Sequence, residues 1–538
     1  MPKILINEVD NTSAGTPGRY GNYSVLIAGL AGTPAENESK RQKPDENGVY
    51  EFNSAQAFKD TIGVIEDDSA HAGNRMAYEL LNLGYQIIYV VIEDVKDMAD
   101  EDFWSIFKDK ASYDFRFISH GLLASETDAA YNALLDKKTA MEADLLLLKA
   151  IEAEAGIKEN HDTFTVDEVK ACDDIFAAKL AEGKYGSFAS ESVYAVKYNY
   201  YHTAAGLSET EGGKKDPEAG VSGELADIVA EIETKDAAMF SVGVYNKINS
   251  NIAKLASYRV NEDDGTVYCN GRGDCTALIE LDEKAYVDTN SKYRPEALII
   301  KGIKRMSASI GEEGAYCALT VPSVHYTMGN GTRKFPAAFH YLACFMSSLS
   351  SGFAEWYAAA GYNRGVSSYV IDHTSVKLGE IAINALEPRN IESQETQPPF
   401  ACNVIANFRG SYYLWGNRTA ASLGEKAGGG DLTAKHFLNI RQLCTTVKKQ
   451  LYVACRRFTF DPNSDTLWFN FVNAITPTLD AMKADQGIRD YKIVKVFTDK
   501  KATLKARVRI IPIEAVEDFD ITISLEDSFG GVSVTAEG

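Results

Sequence analysis

Apolar and polar positions follow two different periods along this chain, and the places where the period changes divide it. Near the start Ile4 and Ile6 alternate with Lys3, Leu5 and Asn7, a two-residue period that predicts a strand. A loop of Gly, Thr and Pro (NTSAGTPGRYGN) follows, and then the run SVLIAGLAG, which predicts a buried strand. VYEF at 49–52 predicts another strand, Ser54 caps a short helix to Ile62, and Gly63 stops it. A helix over 70–83 places Met76, Leu80 and Leu83 on one face and ends at Gly84. It feeds YQIIYVVIE, apolar without interruption, as in strands covered on both sides of a sheet. DFWSIFKD then reads as helix and FRFIS as strand, so the texture is α/β through residue 121.

From 122 to 260 the period becomes helical. Residues 126–155 carry a long amphipathic pattern ending at Gly156. Thr165-Val166-Asp167-Glu168 forms a capping box ahead of the stripe Val169, Cys172, Ile175/Phe176 and Leu180. The segment SETEGGKKDPEAG reads as an exposed loop. Strands return at 275–282 and 314–321, helices at 336–360, and an irregular Asn-, Pro- and Gln-rich stretch occupies 388–400. The last third predicts helices near 433–457 and 466–482 and strands at 491–497 and 504–513. In the last of these Leu504, Ala506, Val508 and Ile510 oppose Lys505, Arg507 and Arg509. At the end of the chain Phe519, Ile521, Ile523 and Leu525 alternate with Asp520, Thr522, Ser524 and Glu526 before a Gly530-Gly531 turn.

The 538 residues, 45% hydrophobic, suffice for about three to four domains with real cores. The net charge of −21 argues against general polyanion binding, which depends on Lys and Arg displacing counterions, so no nucleic-acid partner is expected. The charge is uneven. Residues 122–260 hold 24 acids against 14 Lys and Arg, a net of −10, which predicts a solvated insertion. Between 432 and 460 there are six Lys and Arg and no acid. On that helix Arg441, Lys448, Lys449, Arg456 and Arg457 form either a solvated face or a basic surface for an acidic protein partner. No apolar secretion-signal core follows the first residues, where Glu8 and Asp10 intervene. The most apolar stretch, Tyr341–Tyr362, is broken by serines, Gly352 and Glu355, so no membrane insertion is expected.

Catalytic signatures are absent or partial. No GxxxxGK[ST], GxSxG or HExxH occurs, and the eight histidines are scattered. The eight cysteines include no CxxC; Cys269 and Cys275 flank a Gly-rich turn and read as plain thiols. Asp461, Asn463 and Asp465 begin like a calcium loop, but Thr466 and Val472 stand where Gly and a bidentate Glu are required, so a DPNSD turn capping a helix is expected. Gly428–Gly430 reads as a flexible loop without the features of a phosphate cradle. The tripeptide Arg272-Gly273-Asp274 runs into a strand, which does not suit adhesion. No catalytic residue, metal or cofactor is expected.

Several segments match a family pattern in order. Trp415-Gly416-Asn417-Arg418-Thr419 resembles W-G-x-R-T, and Phe437–Arg441 resembles v-N-v-R-R, with Gln442 in place of the second Arg. Phe458–Asn463 with Leu467 and Trp468 resembles F-E-P-N-d-x-x-L-W, with Asp461 for Glu. Pro336–Phe339 with Tyr341 and Leu342 resembles P-A-S-F-x-Y-L, and Trp356 with Ala360–Gly365 resembles W-x-A-x-A-G-x-x-R-G, carrying Gly361, Arg364 and Gly365. Arg272–Asp282 resembles R-G-D-x-x-A-L-I-D. Together these resemble the tail sheath proteins of contractile bacteriophages and related contractile injection systems. The likeness is convincing over 261–538, plausible over 1–121 and absent over 122–260.

The resemblance implies an α+β, multidomain, tail-sheath-like fold with a helical insertion and strand-forming terminal arms. The expected division is an N-terminal arm 1–22, a first sheath part 23–121, an acidic helical insertion 122–260 on the outer surface, a second sheath part 261–385, an inner domain 386–516 and a C-terminal arm 517–538. It implies a non-enzymatic subunit that polymerises as six-fold rings around a tail tube and contracts, assembled in the host cytoplasm and residing in the virion. Its partners would be itself, the tube protein and the baseplate and terminator proteins. The arms, through Ile4, Leu5, Ile6, Phe519, Ile521, Ile523 and Leu525, would add strands to neighbouring subunits. The basic helix would face the tube. A tailocin or extracellular injection particle is the alternative setting. An α/β hydrolase or another filament protein are the rivals in function.

Overall fold

The computed structural model describes residues 23–65, 69–126, 128–156, 217–260, 266–287, 294–329, 331–386, 399–422, 433–497 and 503–513, with a few isolated positions besides. Both terminal arms, with Ile4, Leu5, Ile6, Phe519, Ile521, Ile523 and Leu525, lie outside the described residues, as does most of the 165–180 stripe.

Strand-forming sequence is spent chiefly on one sheet. Its strands are β1 (Ser24–Leu30), β2 (Val49–Phe52), β3 (Gln86–Ile92), β4 (Phe117–Ser119), β7 (Thr276–Glu280), β8 (Cys317–Val321), β12 (Asn403–Phe408) and β13 (Ser411–Trp415). They lie side by side in the order β13-β12-β8-β7-β4-β1-β3-β2. The neighbours from β12 to β3 are parallel, while β2 and β13 close the two edges antiparallel. The continuous apolar runs follow from this: alternate residues of one strand enter two different cores. In β1, Val25 and Ile27 enter one core and Leu26 and Ala28 the other; in β3, Ile87 and Tyr89 oppose Ile88 and Val90.

Helices cover both faces. On one side lie α1 (Ala55–Thr61), α2 (Ala72–Asn82) and α7 (Ala337–Ser350), through Phe58, Met76, Leu80, Phe339, Leu342 and Phe345. The other side is covered by α5 (Val242–Ala256), α6 (Pro295–Ile310) and α8 (Glu380–Leu386). The mixed sheet and its helical layers make the chain α+β, as the resemblance implies.

Two divisions differ from the sequence expectation. The insertion is narrower than 122–260, because α5 is core: Tyr245, Ile248 and Ile252 are fully buried against the sheet. What projects is α3 (Ala129–Glu154) paired with α4 (Pro217–Ala238) around the small cluster Tyr131, Met141, Ile228 and Ile232. Asp136 of α3 ties this pair to Lys301 and Arg305 of α6. Nor does the C-terminal unit begin at 386, since β12 and β13 belong to the main sheet. The remaining strands form smaller sheets: β5 (Tyr258–Val260) with β6 (Val267–Asn270), and β9 (Val324–Met328) between β10 (Gly331–Phe335) and β11 (Ile371–Thr374).

The last segment is a layer of its own. Helices α9 (Leu438–Arg457) and α10 (Asp465–Ala484) carry the hairpin β14 (Ile488–Val496) and β15 (Lys505–Pro512). Ser464 caps α10 by accepting from the Leu467 amide at 3.3 Å, the expected use of the DPNSD turn. Leu443, Val447, Leu479, Met482 and Ile488 form the buried seam, with Tyr491, Ile493, Val508 and Ile510 packed on it from the hairpin.

A buried carboxyl links sheet and helix. Glu280, at the end of β7, accepts the Ala338 amide at 2.9 Å and so serves the N-terminus of α7. Burial holds its carboxyl well above the usual carboxylate range. Above pH about 4.5 the unfolded chain releases this proton while the folded chain keeps it, so stability falls as pH rises. Glu280→Gln retains the acceptor and is expected to shrink the loss of urea midpoint between about pH 5 and pH 8. An unchanged slope in the variant would refute this.

Candidate interaction surface

The ends of parallel strands where the winding direction reverses commonly hold ligands in α/β sheets, and here that point lies between β1 and β4. Backbone fills it. A Cβ on Gly121, whose φ is +64°, would lie 2.5 Å from the Gly73 Cα that opens α2. Asn74 closes the same corner, donating to the Gly63 carbonyl at 2.9 Å.

The Cys and His side chains of α7 are equally uncommitted to chemistry. Cys344 Sγ lies 3.4 Å from His340 Nε2, and His340 Nδ1 lies 2.6 Å from the Tyr326 hydroxyl. Burial raises the thiol well above its ordinary value and pulls the imidazole down to about 3. An activated thiolate–imidazolium pair needs shifts of the opposite sign. His120 is likewise a neutral core group lowered to about 4, accepting from the Leu122 amide and facing Asn249 Oδ1 at 3.0 Å.

The family-motif residues instead gather where α9 crosses the sheet. Arg272 is fully buried: Nη1 donates to the carbonyls of Phe107 and Tyr113 at 3.0 and 2.6 Å, and Nε to Asp274 Oδ1 at 3.0 Å. Its guanidinium lies 4.2 Å from the centre of the Phe115 ring. Despite burial, which acts the other way, Arg272 followed by Lys449 and Lys110 holds the Asp274 carboxyl below its usual range. Gly273 has φ +73° between them, where a Cβ would meet Tyr258 at 2.7 Å. The RGD tripeptide is therefore an internal brace.

The 415–419 segment leaves β13 and straps the start of α9. Gly416 (φ +136°) lets the chain pass Asn403, whose side chain accepts from the Arg418 amide and donates to the Arg418 carbonyl. The Arg418 guanidinium covers the Phe437 ring at 4.7 Å, Asn417 and Asn439 exchange hydrogen bonds, and Thr419 Oγ1 donates to the Lys435 carbonyl at 2.6 Å. Trp415 packs on Phe408 and Tyr362. In the 356–365 motif, Gly361 (φ +80°) opens one helical turn and Arg364 donates to the Ala358 carbonyl at 2.8 Å. At Gly365 a Cβ would stand 2.4 Å from the Leu414 carbonyl. Trp356 wedges against Gly487 and donates to the Asp485 carbonyl at 3.1 Å, joining this motif to the turn before β14. Trp468 is half-buried beside Phe471 on α10. Gln442, standing where the family pattern has Arg, accepts from Arg116 Nη1 at 3.1 Å and donates to Thr276 Oγ1 at 3.0 Å. A second guanidinium at 442 would face Arg116 without a counter-charge.

The basic helix does not present one face to a partner, contrary to expectation. Lys449 is buried and paired with Asp114, and Lys448 donates to the Gly273 carbonyl at 2.7 Å under the Tyr316 ring. Burial, then the nearby Arg441 guanidinium, brings the Lys448 ammonium down to about 8. Arg441 itself lies 4.3 Å from the centre of the Tyr316 ring. These three lie on the sheet side of α9, away from the Leu443–Val447 seam and flanking Gln442 and Thr446, which meet Arg116 and Thr276 there. Arg456 is half-buried and Arg457 exposed at the far end.

The surface that sequence reasoning passed over is the hairpin. Among the described residues β14 and β15 pair with each other and with no other strand, so each has an outer edge without a strand partner. One face is the apolar layer on α10. The other carries Lys492, Lys505, Arg507 and Arg509, all exposed. The alternation of 504–510 displayed that basic row, but its position at a sheet with two open edges was not legible.

Two solved structures are similar to this chain along nearly its whole length. A chain of the six-fold symmetrised baseplate of the anti-feeding prophage matches over 98% of this chain and 100% of its own, with 10% identity and a TM-score of 0.47. The sheath complex of an extracellular contractile injection system (PVC) in its contracted state matches over 98% of both chains, with 12% identity and a TM-score of 0.46. No family model matches the chain, and no curated protein does.

Proposed function

We propose that this chain is a structural subunit of a contractile sheath, built to polymerise around a tube and to shorten while its subunits stay tethered. The observation that carries the reading is the open hairpin on α9 and α10. A two-stranded sheet with one face already packed offers main-chain donors and acceptors along two edges, which suits strand addition from other copies. An edge of this kind is an aggregation hazard in a free monomer and an asset in a polymer. The terminal segments have the complementary pattern, with Ile4 and Ile6 at one end and Phe519, Ile521, Ile523 and Leu525 at the other.

The sequence motifs support the same reading, because residues matching the sheath pattern, Gly273, Thr419 and Trp356 among them, brace this layer to the rest of the chain. In this reading the subunits stack as six-fold rings, the α3–α4 pair faces outwards, and tube contact falls to Arg456 and Arg457. Phage tail, tailocin and extracellular injection particle ask the same of such a subunit. Negative-stain microscopy of the purified chain tests the proposal: striated hollow tubes are expected, and a uniform monomer over the accessible concentration range would overturn it.

A further inference from the structure

We propose that His325 and His373 form a two-imidazole site for a divalent transition-metal ion of the zinc and copper class, on the outer face of the small sheet β10-β9-β11. The two residues stand directly opposite each other on the antiparallel strands β9 and β11. Their rings are stacked, with centres 4.0 Å apart and planes 16° from parallel. A shift of register brings the site to one face. Ile371 pairs with Tyr326 and His373 with His325, so Asp372 is an extra residue on β11. Ile371 packs on the core that holds Tyr326, and Thr374 is buried opposite Val324. The two residues between them, Asp372 and His373, are both exposed, on the side of the sheet that His325 occupies. A regular strand would turn one of the two inwards.

The extra residue also settles one tautomer. His373 Nδ1 lies 2.8 Å from Asp372 Oδ2, and donation to that carboxylate leaves Nε2 with its lone pair free. A carboxylate behind an imidazole holds the ring in place and raises its basicity, the usual support for a metal-bound histidine. His325 is half-buried, and neither of its ring nitrogens is hydrogen-bonded to a described residue. The cation across from it on β10, Lys334, is drawn to Glu283, which also accepts from the hydroxyls of Ser323 and Ser375. That pairing spares an incoming ion the full repulsion of the ammonium. Two metal–nitrogen bonds of about 2.0–2.1 Å span about 3.4 Å at a tetrahedral angle, which rings stacked at 4.0 Å reach once their outer edges tilt together. Among the described residues no cluster of three His, Cys, Asp or Glu side chains converges on an ion, so water fills the remaining positions. Imidazole suits zinc, copper and nickel, whereas calcium and magnesium ask for oxygen ligands. The two histidines are far apart in the sequence, and only the pairing of β11 with β9 makes them a site. A bound ion would staple these two strands together.

Copper(II) added to the full chain at neutral pH tests this, in a Cys455→Ser background that removes an exposed thiol. Electron paramagnetic resonance is expected to show an ion with two equatorial imidazole nitrogens. His325→Gln should reduce the count to one nitrogen and weaken binding at least about tenfold, because the second ligand acts at high effective concentration. Asp372→Ala should keep both nitrogens and weaken binding about tenfold. Zinc chloride should raise the urea midpoint of the parent and leave that of H325Q/H373Q in place, since an ion held only by the folded site stabilises it. Neither ring is fully buried, so the metal-free midpoints of the two chains should agree. A single-nitrogen spectrum in the parent would overturn the inference without recourse to any variant. So would undiminished copper binding by the double variant, or an equal rise of its midpoint with zinc, either of which places the ion on other side chains. None of these outcomes depends on the sheath reading.

Discussion

Arg272→Ala should be among the most damaging single substitutions in this chain, lowering stability by about 3–5 kcal/mol or preventing soluble expression. The side chain has no exposure and satisfies two carbonyls and a carboxylate while stacking on Phe115. Removing it strands Asp274, itself largely buried, and leaves the Phe107 and Tyr113 carbonyls without this donor. Arg272→Lys is expected to recover little, because one ammonium cannot span the same fork or stack on the ring. Thermal and urea unfolding of the two variants measure this. A loss under about 1 kcal/mol for the alanine variant would show that the brace is dispensable.

Lys449→Glu is expected to disrupt folding and to cost on the order of 2–4 kcal/mol. The substitution puts a carboxylate beside Asp114 and near Asp274, in a place where the lysine is buried. Asp114 is half exposed, which softens the penalty, so Lys449→Met should cost only about 1 kcal/mol. The contrast with Arg456→Glu/Arg457→Glu is informative. Those two lie at the C-terminal end of α9, and their reversal should leave the unfolding curve in place while, on the proposed sheath reading, altering assembly on a tube. Equal destabilisation by both pairs of changes would contradict the inward placement of Lys449.

The periods of the sequence located most elements because backbone geometry imposes them locally. VYEF at 49–52 is strand throughout, the helix expected near 70–83 runs from Ala72 to Asn82, and the pair expected near 433–457 and 466–482 spans Leu438–Arg457 and Asp465–Ala484. Some strands escaped: Val324–Met328 and Gly331–Phe335 mix polar with apolar residues and are half-buried, and Asn403–Phe408, though largely buried, is interrupted by Asn403 and Asn407. The motif segments were visible as motifs, but their shared task of clamping α9 to the sheet depends on contacts between residues more than a hundred positions apart, such as Arg116 with Gln442.

Sequence by itself determined which residues want burial, which stretches carry each charge, and that both ends of the chain read as amphipathic strands. Tertiary structure decided where the charges face. The 432–460 stretch and the row at 505–509 look alike as strings of cations. Packing of the Gln442 and Thr446 side of α9 on the sheet turns Lys448 and Lys449 inwards to carbonyl and carboxylate partners, whereas burial of Val508 and Ile510 turns Lys505, Arg507 and Arg509 out to solvent. A helix or strand fixes the angle between its own side chains; only packing against distant residues fixes which of those angles points to water.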